Sequence, residues 1–248
     1  MSEAAAGVLE YPYSYNRYKA KDQKISLLSS SLAEIRKEVA PLRFELAAKN
    51  IAKELDLRGG EKILELGSGL GLLGKAIQKV IGPISVNYFG IDLAFSSAAE
   101  SKNQSIEPVQ ASVTGLPFKN ESFDAIVSTD VLEHIPDAKK AVEEIKRVLK
   151  PNGKAFLVIA DPSEPRFEKV EGHIKRNSDR SDVSFWKNLF ESQGLTVLEK
   201  ESEKYRKRDW RKIFNLPFLV HLKDKPGLAC AFNPVNRPGV YILLKNLS

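Results

Sequence analysis

Apolar positions change their period several times along the chain, and each change marks an element. Ile25, Leu28, Leu32, Ile35 and Val39 recur at three- and four-residue spacing, which predicts an amphipathic helix over 22–39 that ends before Pro41. A second helix is expected over 42–56, with Phe44, Ala47, Ala48, Ile51, Ala52 and Leu55 on one face. The pattern then shortens to a compact run, Lys62–Leu66, read as a buried strand that enters a glycine-dense turn. Leu73, Ala76, Ile77, Val80 and Ile81 return to the helical period, and Gly82-Pro83 stops it.

Further strands are expected at Ser85–Ile91, at 107–111, at Phe123–Ser128 and at Lys154–Ile159, the last after a Pro151-Asn152-Gly153 turn. Between the last two lies a helix with Ala138, Ala141, Val142, Ile145, Val148 and Leu149 on its buried face. Strand and helix alternating over some hundred residues indicate an α/β fold, a parallel sheet with helices on both faces.

The chemistry concentrates in Lys62–Gly74, KILELGSGLGLLG. Glycines at 67, 69 and 71 let backbone approach a ligand where a Cβ would collide, and the following helix offers unpaired N–H groups. Gly69, Gly71 and Gly74 fit the G-x-G-x-x-G dinucleotide fingerprint, with Asp92 at a suitable distance for a ribose hydroxyl. The first glycine after the strand is Gly67, however, so the turn is better written E-x-G-x-G-x-G from Glu65 to Gly71. A carboxylate there is awkward beside a pyrophosphate and suits a ligand with a cationic amino-acid tail, such as S-adenosylmethionine. Asp92, at the end of the next strand, is expected to accept from both ribose hydroxyls.

Composition narrows the setting. With 248 residues, 42% hydrophobic and 28% charged, the chain is of globular type. No apolar run approaches the ~20 residues that span a bilayer. The first residues, MSEAAAGVLEYPYSYNRY, lack the basic start and apolar core of a signal peptide. A single cysteine, Cys230, precludes an internal disulfide, and three scattered histidines give no zinc spacing, so no metal is expected. The expected location is cytoplasmic. Most of the net charge of +6 sits in Lys204–Lys212, which holds six basic residues and one acid. Such a run is a solvated face or a surface for an anionic substrate, nucleic acid or lipid headgroups.

Four blocks in order, KILELGSGLG, YFGIDL, LPFKNESFDAIVSTDVLEHI and RVLKPNGKAFLVI, resemble the signature blocks of class I S-adenosylmethionine-dependent methyltransferases. The likeness is nearest to the broad group that includes the ubiquinone- and menaquinone-biosynthesis methyltransferases, and it extends over roughly 60–200. It implies a Rossmann-like three-layer sandwich with a seven-stranded, mostly parallel sheet whose last strand is antiparallel, a role that 239–246 suits. It also implies S-adenosylmethionine as cofactor and S-adenosylhomocysteine as product. Glu65, Gly67, Ser68, Gly69 and Gly71 would then line the methionine and ribose portions, Asp92 the ribose and Leu93 the adenine. Ser112 and Val113 would lie near the adenine amino group, and Thr129 near the methionine end. Ser112 departs from the Asp usual in the family, so charge assistance is lost there or backbone atoms read the base.

Methyl transfer needs a general base only where the nucleophile must lose a proton, and His134 and His173 are the candidates, with Asp130 as a further one or a helix cap. The whole chain is read as a single methyltransferase domain: a helical cap over 1–60, the cofactor-binding core over 61–200, a lid or substrate insertion over 201–238 and the last strand over 239–248. The apolar stretch Trp210–Leu222 after the basic run suggests a lid over an apolar pocket, ordinary core packing, or peripheral membrane contact through 204–222. Three classes stay open. One is a methyltransferase for an O, N or C nucleophile of a small, partly apolar molecule. The second is an RNA or protein methyltransferase using 204–212. The third is a non-catalytic cofactor-binding protein. A nicotinamide dehydrogenase is more remote than any of them, given the downstream blocks.

Overall fold

The computed structural model describes residues 44–82, 87–93, 106–160, 183–198 and 239–247. The expected helix over 22–39, His173, the basic run Lys204–Lys212 and Trp210–Leu222 lie outside the described residues. In chain order the elements are α1 (44–55), β1 (Lys62–Leu66), α2 (Leu72–Ile81), β2 (Asn87–Asp92), β3 (Glu107–Gln110), β4 (Phe123–Thr129), α3 (Ala138–Val148), β5 (Leu149–Ala160), α4 (Val183–Ser192), β6 (Leu195–Val197) and β7 (Gly239–Asn246).

The strands form one seven-stranded sheet in the order β3-β2-β1-β4-β5-β7-β6. Pairings from β3 through β5 are parallel, and β7 is antiparallel to both β5 and β6. This is the expected Rossmann-like α/β architecture, with 239–246 as the antiparallel strand. Successive side chains point to opposite faces, so Ile63, Val127, Phe156 and Leu243 pack under α1 and α2. Their neighbours Leu64, Ile126, Leu157 and Leu244 pack with Val142 and Ile145 of α3 and Trp186 and Phe190 of α4. The helical faces read from periodicity are the buried ones: Ala47, Ala48, Ile51 and Leu55 in α1, Leu73, Ala76 and Ile77 in α2, Ala141, Val142 and Ile145 in α3.

Element ends differ modestly from expectation. β3 stops at Gln110, while β4 runs on to Thr129. Pro151-Asn152-Gly153 falls inside β5 as an irregularity: Phe123 pairs with Leu149, and regular pairing resumes at Ala125 with Lys154. Asn152 takes φ 63° there, a left-handed conformation that Asn tolerates. A single 3₁₀ turn, Leu132–His134, follows β4 where periodicity gave no signal.

At the amino ends of the strands, Asp124 accepts from the Lys62 N–H (2.9 Å) and from Lys150 Nζ (2.7 Å). The Lys62 ammonium also lies 4.9 Å and 5.1 Å from the ring centres of Phe89 and Phe123. That end of the sheet is tied shut. The carboxyl ends carry the glycine turn.

Candidate functional site

β1 pairs with β2 on one side and β4 on the other, so the chain reverses its direction of travel across the sheet at β1. In a doubly wound sheet, this reversal leaves a crevice outside the carboxyl ends of the strands that flank it. The glycine turn opens there. Its backbone is tied to β2, since the Ser68 N–H donates to the Ile91 carbonyl at 2.9 Å. The Gly69 N–H donates to Asp92 Oδ2 at 3.0 Å, joining the turn to the acid that ends β2.

Two glycines do different work. Gly67 has φ +68°, and a Cβ there would sit 2.3 Å from Val131 Cγ2, so the turn is pressed against the segment after β4. Gly69 has φ +51° and open space where its Cβ would be. Ser68 fills the room above Gly90, where a Cβ would lie 2.6 Å from Ser68 Oγ. Gly71 caps α2 in a left-handed conformation, with no side-chain cap on the helix.

Glu65 is 3% exposed and points beneath the turn. Its Oε2 accepts from the Tyr88 hydroxyl at 3.0 Å, and the Gly74 N–H in the first turn of α2 also bonds it. Burial lifts its pKa to about 8, against the opposing hydrogen bond from Tyr88, and the nearby Asp92 charge adds to the rise. Burial, together with Glu65 itself, pushes the Tyr88 phenol well above its ordinary range. Periodicity placed Tyr88 only as a strand residue. Its hydroxyl partner is set by the register that opposes Glu65 to Gly90, which sequence spacing alone does not reveal.

On the β3 side, the Ala111 N–H donates to the Asp92 carbonyl (3.2 Å) and Gln110 Nε2 to the Leu93 carbonyl (3.0 Å). Leu93 is 47% exposed and Leu72, opening α2, 39%, two apolar surfaces beside the turn. Ser112 begins a tight turn closed by the Gly115 N–H on its carbonyl. Its hydroxyl lies 2.7 Å from Thr114 Oγ1 and accepts from the Thr114 N–H at 3.2 Å, so it is engaged within its own turn. Val113 is buried in the core.

Beyond β4, Thr129 pairs with Val158, and Asp130 follows in a left-handed conformation with φ 58°. The cap of α3 is Asp137, which accepts from the Lys140 N–H at 2.9 Å, so Asp130 does not serve there. His134 closes the 3₁₀ turn with its side chain 39% exposed and Nε2 3.9 Å from Glu133 Oε1. The glycine turn, Asp92, Leu93, Ser112, Thr129 and His134 thus share the carboxyl end of the sheet, whereas Glu65 supports the turn from below.

Residues 64–157 match the profile of the methyltransferase domain family. They are a methyltransferase domain. Its seven-stranded sheet with an antiparallel β7 is the fold that the resemblance to class I S-adenosylmethionine-dependent methyltransferases implies. An uncharacterised methyltransferase of Bacillus subtilis is 30% identical over 153 residues, which are 58% of this chain and 60% of that protein. A demethylmenaquinone methyltransferase of Lactobacillus johnsonii is 33% identical over 126 residues, 47% of this chain and 51% of that protein. The chain therefore spans only about half of the length of such curated relatives. A solved S-adenosylmethionine-dependent methyltransferase from Mesorhizobium loti shares the fold with a TM-score of 0.59 at 17% identity, over 82% of this chain and 99% of that one. No helix among the described residues is long and apolar enough to cross a membrane.

Proposed function

We propose that the chain is an S-adenosylmethionine-dependent methyltransferase that acts on an O, N or C nucleophile of a small, partly apolar molecule in the cytoplasm. The observation that carries this reading is the bond from the Gly69 N–H to Asp92, which sets a bare glycine turn and a ribose-seeking acid side by side at the strand reversal. The residues present fit the cofactor. Gly69 leaves the turn open, Asp92 stands beside it to hold the ribose, and Leu93 offers an apolar face to adenine. Ser112 carries no acid and its hydroxyl is tied to Thr114, so reading of the base would rest on the groups of the Ser112–Gly115 turn not tied within it. Glu65 acts through the turn it supports, with Thr129 and the turn's own backbone at the methionine end.

When bound, S-adenosylmethionine supplies a methyl group already activated on a sulfonium. The chain's own residues then have to orient the acceptor in line with that methyl and exclude water. His134, the histidine beside the crevice, is the candidate to take a proton from an O or N nucleophile, and His173 is the second. A partly apolar acceptor is supported by the name of the demethylmenaquinone-methylating relative and by the apolar stretch Trp210–Leu222.

The test is transfer of labelled methyl to a panel of phenolic, quinone-type and amine acceptors. The reading expects at least one to be labelled, with Asp92→Ala weakening cofactor binding by about 2 kcal/mol through loss of charged hydrogen bonds. Unchanged cofactor affinity in that variant would remove Asp92 from the ribose role.

A further inference from the structure

Leu116 through Ser122 join the Ser112–Gly115 turn to β4 without regular structure, and their backbone groups end on the last turns of α3. Arg147 places a hydrogen bond from each of the five donors that a guanidinium carries. Nε reaches Glu144 Oε1 (2.7 Å), and Nη2 reaches Glu144 Oε2 (2.8 Å) and the Leu116 carbonyl (2.9 Å). Nη1 reaches the Phe118 carbonyl (2.6 Å) and Asn120 Oδ1 (3.1 Å). Glu144 Oε2 in turn accepts from the Leu116 N–H at 2.7 Å, so both backbone polar groups of Leu116 terminate on this one pair. The Glu121 and Ser122 N–H groups donate to the carbonyls of Arg147 and Val148 (2.9 and 2.8 Å). Glu144 is only 7% exposed, while the Arg147 side chain stays 30% exposed, so the contact is partly buried. Arg147 holds the Glu144 carboxyl below its ordinary pKa, chiefly by the side-chain bonds, and is itself raised by them.

The fixed segment begins one residue after the turn that closes on Gly115. That turn stands at the carboxyl end of β3, where Gln110 is in register with Asp92 and the Ala111 N–H meets the Asp92 carbonyl. On the cofactor reading above, the base of a ligand whose ribose is held by Asp92 would lie between Leu93 and this turn. With the Ser112 hydroxyl and the Thr114 and Gly115 N–H groups tied within the turn, recognition of the base would rest on the turn's remaining groups, which cannot follow a displaced ligand. A hydrogen bond weakens steeply outside its narrow range of length and angle. The position of the turn therefore decides the recognition.

We propose that Arg147 and Glu144 are positioning residues for nucleobase recognition: from α3 they fix Leu116–Asn120, and through it the Ser112–Gly115 turn that reads the base. The proposal rests on the cofactor reading above. A lysine at 147 keeps the charge and the stem but brings its donors to one nitrogen, which cannot span the Leu116 and Phe118 carbonyls and Asn120 together.

The experiment titrates S-adenosylhomocysteine, and separately its inosine counterpart, into the wild-type chain, Arg147→Lys, Glu144→Gln and a control, Asp124→Asn. Thermal melting is followed in parallel. The control removes the Lys150 ion pair at the opposite end of the strands and leaves the 112–120 segment untouched. Loss of the shared geometry should weaken S-adenosylhomocysteine about tenfold or more in both test variants, with the preference for adenine over hypoxanthine shrinking to within about threefold. The control should keep both quantities even if it melts lower. Should Arg147→Lys fail to fold, Glu144→Gln, which keeps an acceptor for Leu116, carries the comparison. Test variants that keep wild-type affinity and base preference overturn the positioning role, as does an equal loss in the control. A wild-type chain that binds neither ligand overturns the cofactor reading as well, a result distinct from binding that is intact but indifferent to Arg147.

Discussion

Gly67 and Gly69 stand two residues apart in the same turn, both with positive φ, and their neighbours give them different duties. Gly67→Ala drives a methyl into Val131 in a left-handed conformation and should cost about 2–4 kcal/mol of stability. Gly69→Ala meets open space and should cost only about 1–2 kcal/mol, yet it intrudes where the ligand would lie. Melting and ligand titration of the two variants check this: the first should lose stability, the second affinity. Glu65 gives a pH signature. Its folded pKa of about 8 exceeds the ordinary 4.5, so the folded state holds the proton more tightly. Its contribution is complete below about pH 4.5 and is lost as pH rises through about 8. Glu65→Gln should flatten that loss, gaining melting temperature relative to wild type at pH 8.5 and little at pH 5. A parallel pair of curves would refute the burial argument. The sequence made the turn and Asp92 legible because glycine spacing and a strand-ending acid are local signals. The Tyr88–Glu65 bond and the Val131 contact were not legible, since each depends on which strands lie side by side.

At the scale of elements, periodicity found α1, α2 and α3 with their buried faces, because a 3.6-residue pattern reports burial directly. It did not find the 3₁₀ turn Leu132–His134, which is too short to show a period, and it left Asp130 as a helix cap or a base. The cap of α3 is Asp137, through its bond to the Lys140 N–H. Asp137→Ala should cost about 1 kcal/mol, read by denaturant unfolding. The Arg147–Glu144 pair was equally invisible. Its spacing of three residues suggests only a surface helix pair, but its other bonds run to a segment some thirty positions earlier in the chain. Long-range polar contacts of this kind leave no period to read.

For the whole molecule, the seven strands and the antiparallel last strand were expected from the resemblance rather than from any pattern of residues, and the sheet has both. What the sheet does not carry is the acceptor. The methyltransferase domain supplies a cofactor crevice common to many substrates, and selection among them belongs to what surrounds it. The central claim is that the turn from Glu65 to Gly71 is built for S-adenosylmethionine and not for a dinucleotide, although Gly69, Gly71 and Gly74 fit the dinucleotide fingerprint. Calorimetric titration of the purified chain with S-adenosylhomocysteine, and separately with NADH, tests it most directly. The account predicts saturable binding of S-adenosylhomocysteine, weakened in Asp92→Ala, and no binding of NADH. Binding of NADH in its place would contradict it.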